Sequence, residues 1–121
     1  MRNEAVTVTP SSSKAVASLN VALNNPDSKA LDLVIDVTDA GAAGSLAVTI
    51  QGVDPTSAKK YTILASAAIT AVGTTVLRVG PALTASANAV ANFNVPRQLN
   101  ILAAVTVNAM TFSIGANLIG G

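Results

Sequence analysis

Few side chains in this sequence could do chemistry. Six carboxylates (Glu4, Asp27, Asp32, Asp36, Asp39 and Asp54) stand beside seven lysines and arginines, with no histidine and no cysteine. Without histidine, the commonest general base, a common metal ligand and every Ser-His-Asp arrangement are missing. Without cysteine there is no thiolate nucleophile, no zinc–thiolate or iron–sulfur site and no disulfide framework. Asp32 and Asp36 lie four residues apart on a strand-like segment, so they share a face at about 13 Å by strand rise. That exceeds the separation a pair of glycosidase carboxylates uses. Together with Asp39 they form a calcium site only if the strand bends after Val37; otherwise they are a solvated outer face, which is the reading adopted. Gly41-x-x-Gly44 and Gly120-Gly121 lack the lysine and the following helix of a phosphate cradle. The sequence therefore reads as a protein that is not an enzyme and that takes no cofactor and no metal.

The composition bounds what else the chain does. Its 121 residues suit one domain. Half of them are hydrophobic but only 2% are aromatic, so the core is expected from Val, Ile, Leu and Ala. Tyr61, Phe93 and Phe112 all fall in core-like phase. Charged residues make up 11%, against about 25% in an average soluble domain. No stretch of about 20 apolar residues runs without polar interruption, as a membrane-spanning helix would need. Met1-Arg2-Asn3-Glu4 opens no apolar leader segment. A net charge of +1 with Lys59-Lys60 as the one basic pair does not suit nucleic acid. Coverage of the surface by protein partners accounts best for so little charge.

The elements that would position these residues are strands. Leu31, Leu33, Ile35 and Val37 alternate with Asp32, Val34, Asp36 and Thr38, the period-two pattern of a half-buried strand. Leu46, Val48 and Ile50 repeat it, as do Tyr61, Ile63 and Ala65. The segment between these two runs contains Asp54-Pro55, which opens the loop of a β-hairpin. Further strands are expected at Thr74–Val79, stopped by Gly80-Pro81, and at Ala91–Val95, stopped by Pro96. A last hairpin is expected to pair Gln98–Val107 with Met110–Leu118 through Asn108-Ala109. Weaker patterns mark strands at residues 4–9 and 15–23, and Ala82–Ala91 is the one stretch where a helical turn fits. The fold class is all-β: an antiparallel β-sandwich, jelly-roll or Ig-like, of about eight strands. Residues 14–121 read as the sandwich domain. Residues 1–13, which run into the polar break Thr9-Pro10-Ser11-Ser12-Ser13-Lys14, read as an N-terminal arm or an edge strand.

On those strands Val34, Leu64, Val76 and Leu102 fall opposite the core series, among small polar residues. Such a mixture suits flat packing against another protein. Arg78 lies outward on its strand, and Lys59 and Lys60 sit in the hairpin loop. Arg78 fits a subunit contact or an edge guard, and the lysines fit a contact to an acidic partner or a solvated turn. These seven residues form the candidate protein interface.

Three segments also carry a resemblance. Val48-Thr49-Ile50-Gln51-Gly52-Val53-Asp54-Pro55, Lys60-Tyr61-Thr62-Ile63-Leu64-Ala65-Ser66-Ala67-Ala68-Ile69 and Gly73-Thr74-Thr75-Val76-Leu77-Arg78-Val79-Gly80-Pro81 resemble small structural proteins of tailed bacteriophages. Val95-Pro96-Arg97 and Thr111-Phe112-Ser113-Ile114-Gly115-Ala116 continue the likeness over roughly residues 45–118. Gln98, Leu99 and Asn100 stand where many relatives carry an aromatic residue after Arg97. The resemblance implies a virion component, a capsid decoration (cement) protein on the capsid exterior. Its implied partner is the major capsid protein, its implied state a homotrimer, and no catalytic residue comes with it. The alternative is a tail, tail-tip or spike component that binds glycans.

Overall fold

The computed structural model describes residues 3–24, 28–41, 44–81, 83–106 and 108–120, and of residues 3, 4, 28 and 120 the backbone alone. Among the described residues nine strands form: β1 (Asn3–Lys14), β2 (Ala17–Asn24), β3 (Ser28–Asp39), β4 (Ser45–Val53), β5 (Lys60–Ala65), β6 (Gly73–Gly80), β7 (Val90–Asn92), β8 (Gln98–Thr106) and β9 (Met110–Gly120). The alternation in the sequence becomes two-sided strands. Leu31, Leu33, Ile35 and Val37 of β3 and Leu46, Val48 and Ile50 of β4 are buried, with polar or small residues between them facing out.

The strands make two sheets, ordered β1-β9-β3-β6-β7 and β2-β8-β4-β5. Four antiparallel pairings explain that order: β4 with β5, β3 with β6, β2 with β8 and β1 with β9. They are successive rungs of one long ribbon whose tip is the β4–β5 loop. Successive rungs fall in alternate sheets, so the ribbon is rolled over itself, and β3·β9 and β4·β8 are the seams that close the roll. This is the eight-stranded jelly roll. β7 is an addition, three residues laid parallel to β6. The core lies between the sheets, with Phe112, Met110, Leu31, Ile35, Ile50 and Ile101 almost entirely shielded.

The rolled topology corrects the expected last hairpin. β8 and β9 follow one another in sequence but lie in opposite sheets and do not pair. Both edges of β8 are taken, by β2 and β4. The chain at Asn108, whose N–H donates to the Thr106 carbonyl at 3.0 Å, instead turns across the sandwich. Leu99, Ile101, Ala103 and Val105 then face Met110, Phe112, Ile114, Ala116 and Leu118 across the core, which buries both apolar faces. Val107 lies outside the described residues, as does Ala82 of the expected helical turn. Residues 83–91 form no helix: Ser86 accepts from Ala89 and Val90 in a turn where Asn88 has φ +61°. The strand expected at Ala91–Val95 shortens to β7.

The polar stretch Thr9–Lys14 does not end β1. It shifts register against β9 twice, between Thr7 and Thr9 and between Thr9 and Ser12. The Lys14 ammonium fastens the bulged segment. It donates to the carbonyls of Pro10 and Ser12 and the Ser12 hydroxyl, each at 3.0 Å, and to the Phe112 carbonyl at 2.7 Å. It also stands 4.4 Å from the centre of the Phe112 ring. Burial holds its pKa below the ordinary lysine value.

Candidate protein-interaction surface

The two sheets present different outer faces. On the five-stranded sheet, register aligns Thr7, Gly115, Val34 and Val76 in one row and Ala5, Asn117, Asp32 and Arg78 in the next. Val76 is 45% exposed, and Gly115, without a side chain, leaves a hollow of about 300 Å³ between β1, β9 and β3. Charge frames this centre. Arg78 Nε lies 3.5 Å from Asp32 Oδ1, and Thr74 Oγ1 donates to Asp36 Oδ1 at 3.5 Å. An exposed ion pair of this kind contributes little, about 0–1 kcal/mol.

On the four-stranded sheet the rows are Ser18, Ala104, Ala47; Asn20, Leu102, Thr49, Ala65; and Ala22, Asn100, Gln51, Thr62. None of these residues is charged, and Lys60 stands only at the corner, opposite Val53. Asn100 fixes the centre. It is only 4% exposed although it points outward, and its Nδ2 donates to Asn20 Oδ1 at 3.0 Å and Gln51 Oε1 at 2.9 Å. An amide ladder thus crosses β2, β8 and β4 on a neutral face.

The seven expected interface residues do not form one patch. Val34, Val76 and Arg78 come together on the five-stranded sheet. Leu102 lies on the other side of the sandwich. Lys59 and Lys60 are exposed at the ribbon tip. Leu64 is corrected: it is 7% exposed and belongs to the core. The cause is a β-bulge. Ile50 pairs with Leu64 and Gln51 with Thr62, so Ile63 is the extra residue and the phase of β5 inverts there.

Tyr61 lies before the bulge and keeps the phase expected of it, opposite the buried Gly52, yet its ring is not covered. Tyr61 is 40% and Phe93 44% exposed, and their rings meet edge to face at 6.5 Å between centroids. Tyr61 lies across Gly52, where any Cβ would collide with the ring. Val53, Pro55, Tyr61, Pro96, Arg97 and Gln98 line a hollow of about 180 Å³ beside it.

The acidic residues serve separate local roles. Asp39 Oδ1 accepts from the Gly41 N–H at 2.9 Å, Asp32 faces Arg78, and Asp54 Oδ1 accepts from the Thr56 N–H at 2.9 Å. That turn, first through the Thr56 N–H and then through the Ser57 hydroxyl and N–H, holds the Asp54 carboxyl below its ordinary pKa. Among the described residues no group of three or more acidic side chains comes close enough to hold a metal ion. Asp27 lies outside the described residues.

The neutral face was missed by reading one residue at a time. Its signal was present, because residues 17–24, 45–53 and 98–106 contain no Asp, Glu, Lys or Arg. It becomes visible only once those three strands are known to be neighbours.

No family model and no curated protein matches the chain. Solved structures do match it in fold. A chain in the structure of the Gx strain of infectious bursal disease virus is 11% identical with a TM-score of 0.54, over 99% of this chain and 32% of that one. A chain of the T13 particle of the same virus gives 14% and 0.53, over 99% and 31%. The VP2 subviral particle of that virus gives 14% and 0.51, over 99% and 33%. This chain therefore spans about a third of the length of the chains it resembles. At such identities the likeness is one of fold: the rolled β-sandwich described above recurs, end to end, inside a longer polypeptide of a virus particle.

Proposed function

We propose that this chain is a virion structural protein, and more narrowly a capsid decoration protein that cements a head shell from outside. The observation that carries the broader reading is the fold likeness to virus-particle chains over 99% of this chain. The resemblance of residues 45–118 to small phage structural proteins supports the narrower one. In this reading the neutral outer face of the four-stranded sheet, with Leu102 at its centre, seats on the major capsid protein. Lys59 and Lys60 at the tip reach acidic groups beside it. Val34, Val76 and Arg78 on the opposite sheet meet neighbouring copies. Residues 14–121 form the domain that docks, and residues 1–13 complete its edge.

The mechanism is mass action. A protein that binds only the assembled lattice lowers that lattice's free energy by RT ln(1 + [L]/Kd), about 2.7 kcal/mol per site at a hundredfold excess over Kd. Association as a trimer adds avidity. The test adds purified protein to heads that lack it and follows sedimentation with the shell and the temperature at which heads release their genome. Co-sedimentation with a higher release temperature is expected. Heads that neither bind the protein nor gain resistance sink the proposal.

One observation favours a second reading, a glycan-binding tail-tip component: the exposed Tyr61–Phe93 pair beside Arg97 and Gln98. Tyr61 is the only tyrosine and there is no tryptophan, so ultraviolet emission reports on that hollow alone. Saturable quenching by host-surface oligosaccharides would put this reading ahead of the first.

A further inference from the structure

A sheet ends in strands whose outward backbone N–H and C=O groups have no partner, and proteins block such edges to prevent stray pairing. The two sheets here have four edges, and three are blocked. β1 carries Pro10, two register shifts and the tethered Lys14. β7 is three residues long. β5 starts at Lys60, carries the Ile63 bulge, and has its Ala65 carbonyl occupied by Asn88 Nδ2 at 3.0 Å.

β2 is the exception. Its eight residues pair with β8 in unbroken register, with no charge, no proline and no bulge. Its inward side chains are also incompletely covered. Leu23 is buried, but Leu19 and Val21 are only half-buried, as is Val6 on the adjoining edge of the other sheet. Among the described residues, the flank of the sandwich is left open along this one strand.

We infer that β2 is the pairing edge for a second copy of this chain. Two β2 strands run antiparallel about a two-fold axis at Asn20 and join two four-stranded sheets into one of eight. The register follows from the residues. With Asn20 opposite the partner's Asn20, Leu19 meets the partner's Val21 on the core side and Ser18 meets the partner's Ala22 outside. Apolar groups thus face apolar groups, and no charge is buried. A shift of one residue would set Leu19 against an amide and reverse every side chain. The ladder from Gln51 through Asn100 to Asn20 continues in this register into the partner's ladder. The contact is isologous and self-limiting. It does not depend on the virion reading; in that setting it would bridge neighbouring trimers across local two-fold axes.

The absence of cysteine makes the register directly testable. Asn20→Cys places each thiol opposite its own copy, with Cα atoms about 4.5–5.5 Å apart, within disulfide reach. Mild oxidation is expected to give a covalent dimer. Ser18→Cys, about 13 Å from its copy in this register, is expected to give none. Native mass measurement is expected to find the unmodified protein in even-numbered assemblies that halve in Asn20→Lys, with far-ultraviolet dichroism unchanged in every variant. Equal cross-linking at both positions, a monomeric unmodified protein at millimolar concentration, or an assembly that Asn20→Lys leaves intact would each overturn the inference.

Discussion

Asn100 shows how much one polar side chain can organise on a sheet face whose one charge, Lys60, stands at the corner. Its Nδ2 makes both bonds of the amide ladder while neighbouring side chains shield it from water. Asn100→Ala removes both, and at about 1 kcal/mol for each hydrogen bond a loss of about 2 kcal/mol is expected in chemical denaturation. Gln51→Ala should cost about half as much, and the double variant little more than Asn100→Ala alone, because the two share one interaction. Asp54 sets a different residue-scale behaviour. The turn lowers its pKa in the folded state, so its ionised form stabilises the loop at pH above the ordinary carboxylate value. That contribution is lost as pH falls through the lowered folded value. The Thr56 amide should therefore be less protected, relative to its intrinsic exchange rate at the same pH, in acid than at neutral pH, and Asp54→Ala should abolish the difference.

Among the elements, β5 separates what the sequence discloses from what it conceals. Alternation located β3, β4, β6 and the β4–β5 hairpin, because side-chain phase is a local property of a pleated strand. The bulge at Ile63 is not local. It answers the registration of β4 and β5, and no single residue in Lys60–Ala65 announces it. That is why Leu64, expected outside, is buried, while Tyr61, on the near side of the bulge, keeps its expected phase and is exposed only for want of cover. Alanine substitution tests the inverted phase: Leu64→Ala should cost about 3 kcal/mol, as a buried leucine does, and Ile63→Ala about 1 kcal/mol. Equal costs would refute the bulge. The last two strands fail as a hairpin for a related reason. Alternation in β8 and β9 says that each has one apolar face, but not whether those faces lie side by side or face each other. The candidate interface inherited both limits: Val34, Val76, Arg78 and Leu102 do point outward as their phase required, yet they divide between opposite sides of the molecule.

At the scale of the whole molecule, the difference between the two faces makes the proposed docking side testable. Leu102→Asp puts a carboxylate in the middle of the neutral face, and binding to heads should fall at least tenfold. Val76→Asp puts the same group on the already charged face, and head binding should stay within about twofold. Neither side chain is in the core, so both variants should keep the thermal stability of the unmodified protein to within a few degrees, which calorimetry checks. The reverse pattern of binding would reassign the docking side.

The rolled ribbon also has a consequence in time. Its tip joins strands separated by the short loop Asp54–Lys59, so β4·β5 is the least costly pairing to close. Its open end joins Asn3 to Ile119, nearly the full length of the chain. Folding should therefore zip from the tip outward, and be slow for a chain of this size because most pairings are distant. During synthesis the order is harsher: of the nine described strands β1 leaves the ribosome first, and β9, with which it pairs, leaves last. At about 5–20 residues per second, β1 waits on the order of ten seconds without a mate. The devices that blunt it, Pro10, the serines and Lys14, thus lie on the strand with the longest unprotected wait, where a cleaner β-strand would be the first to find a wrong neighbour.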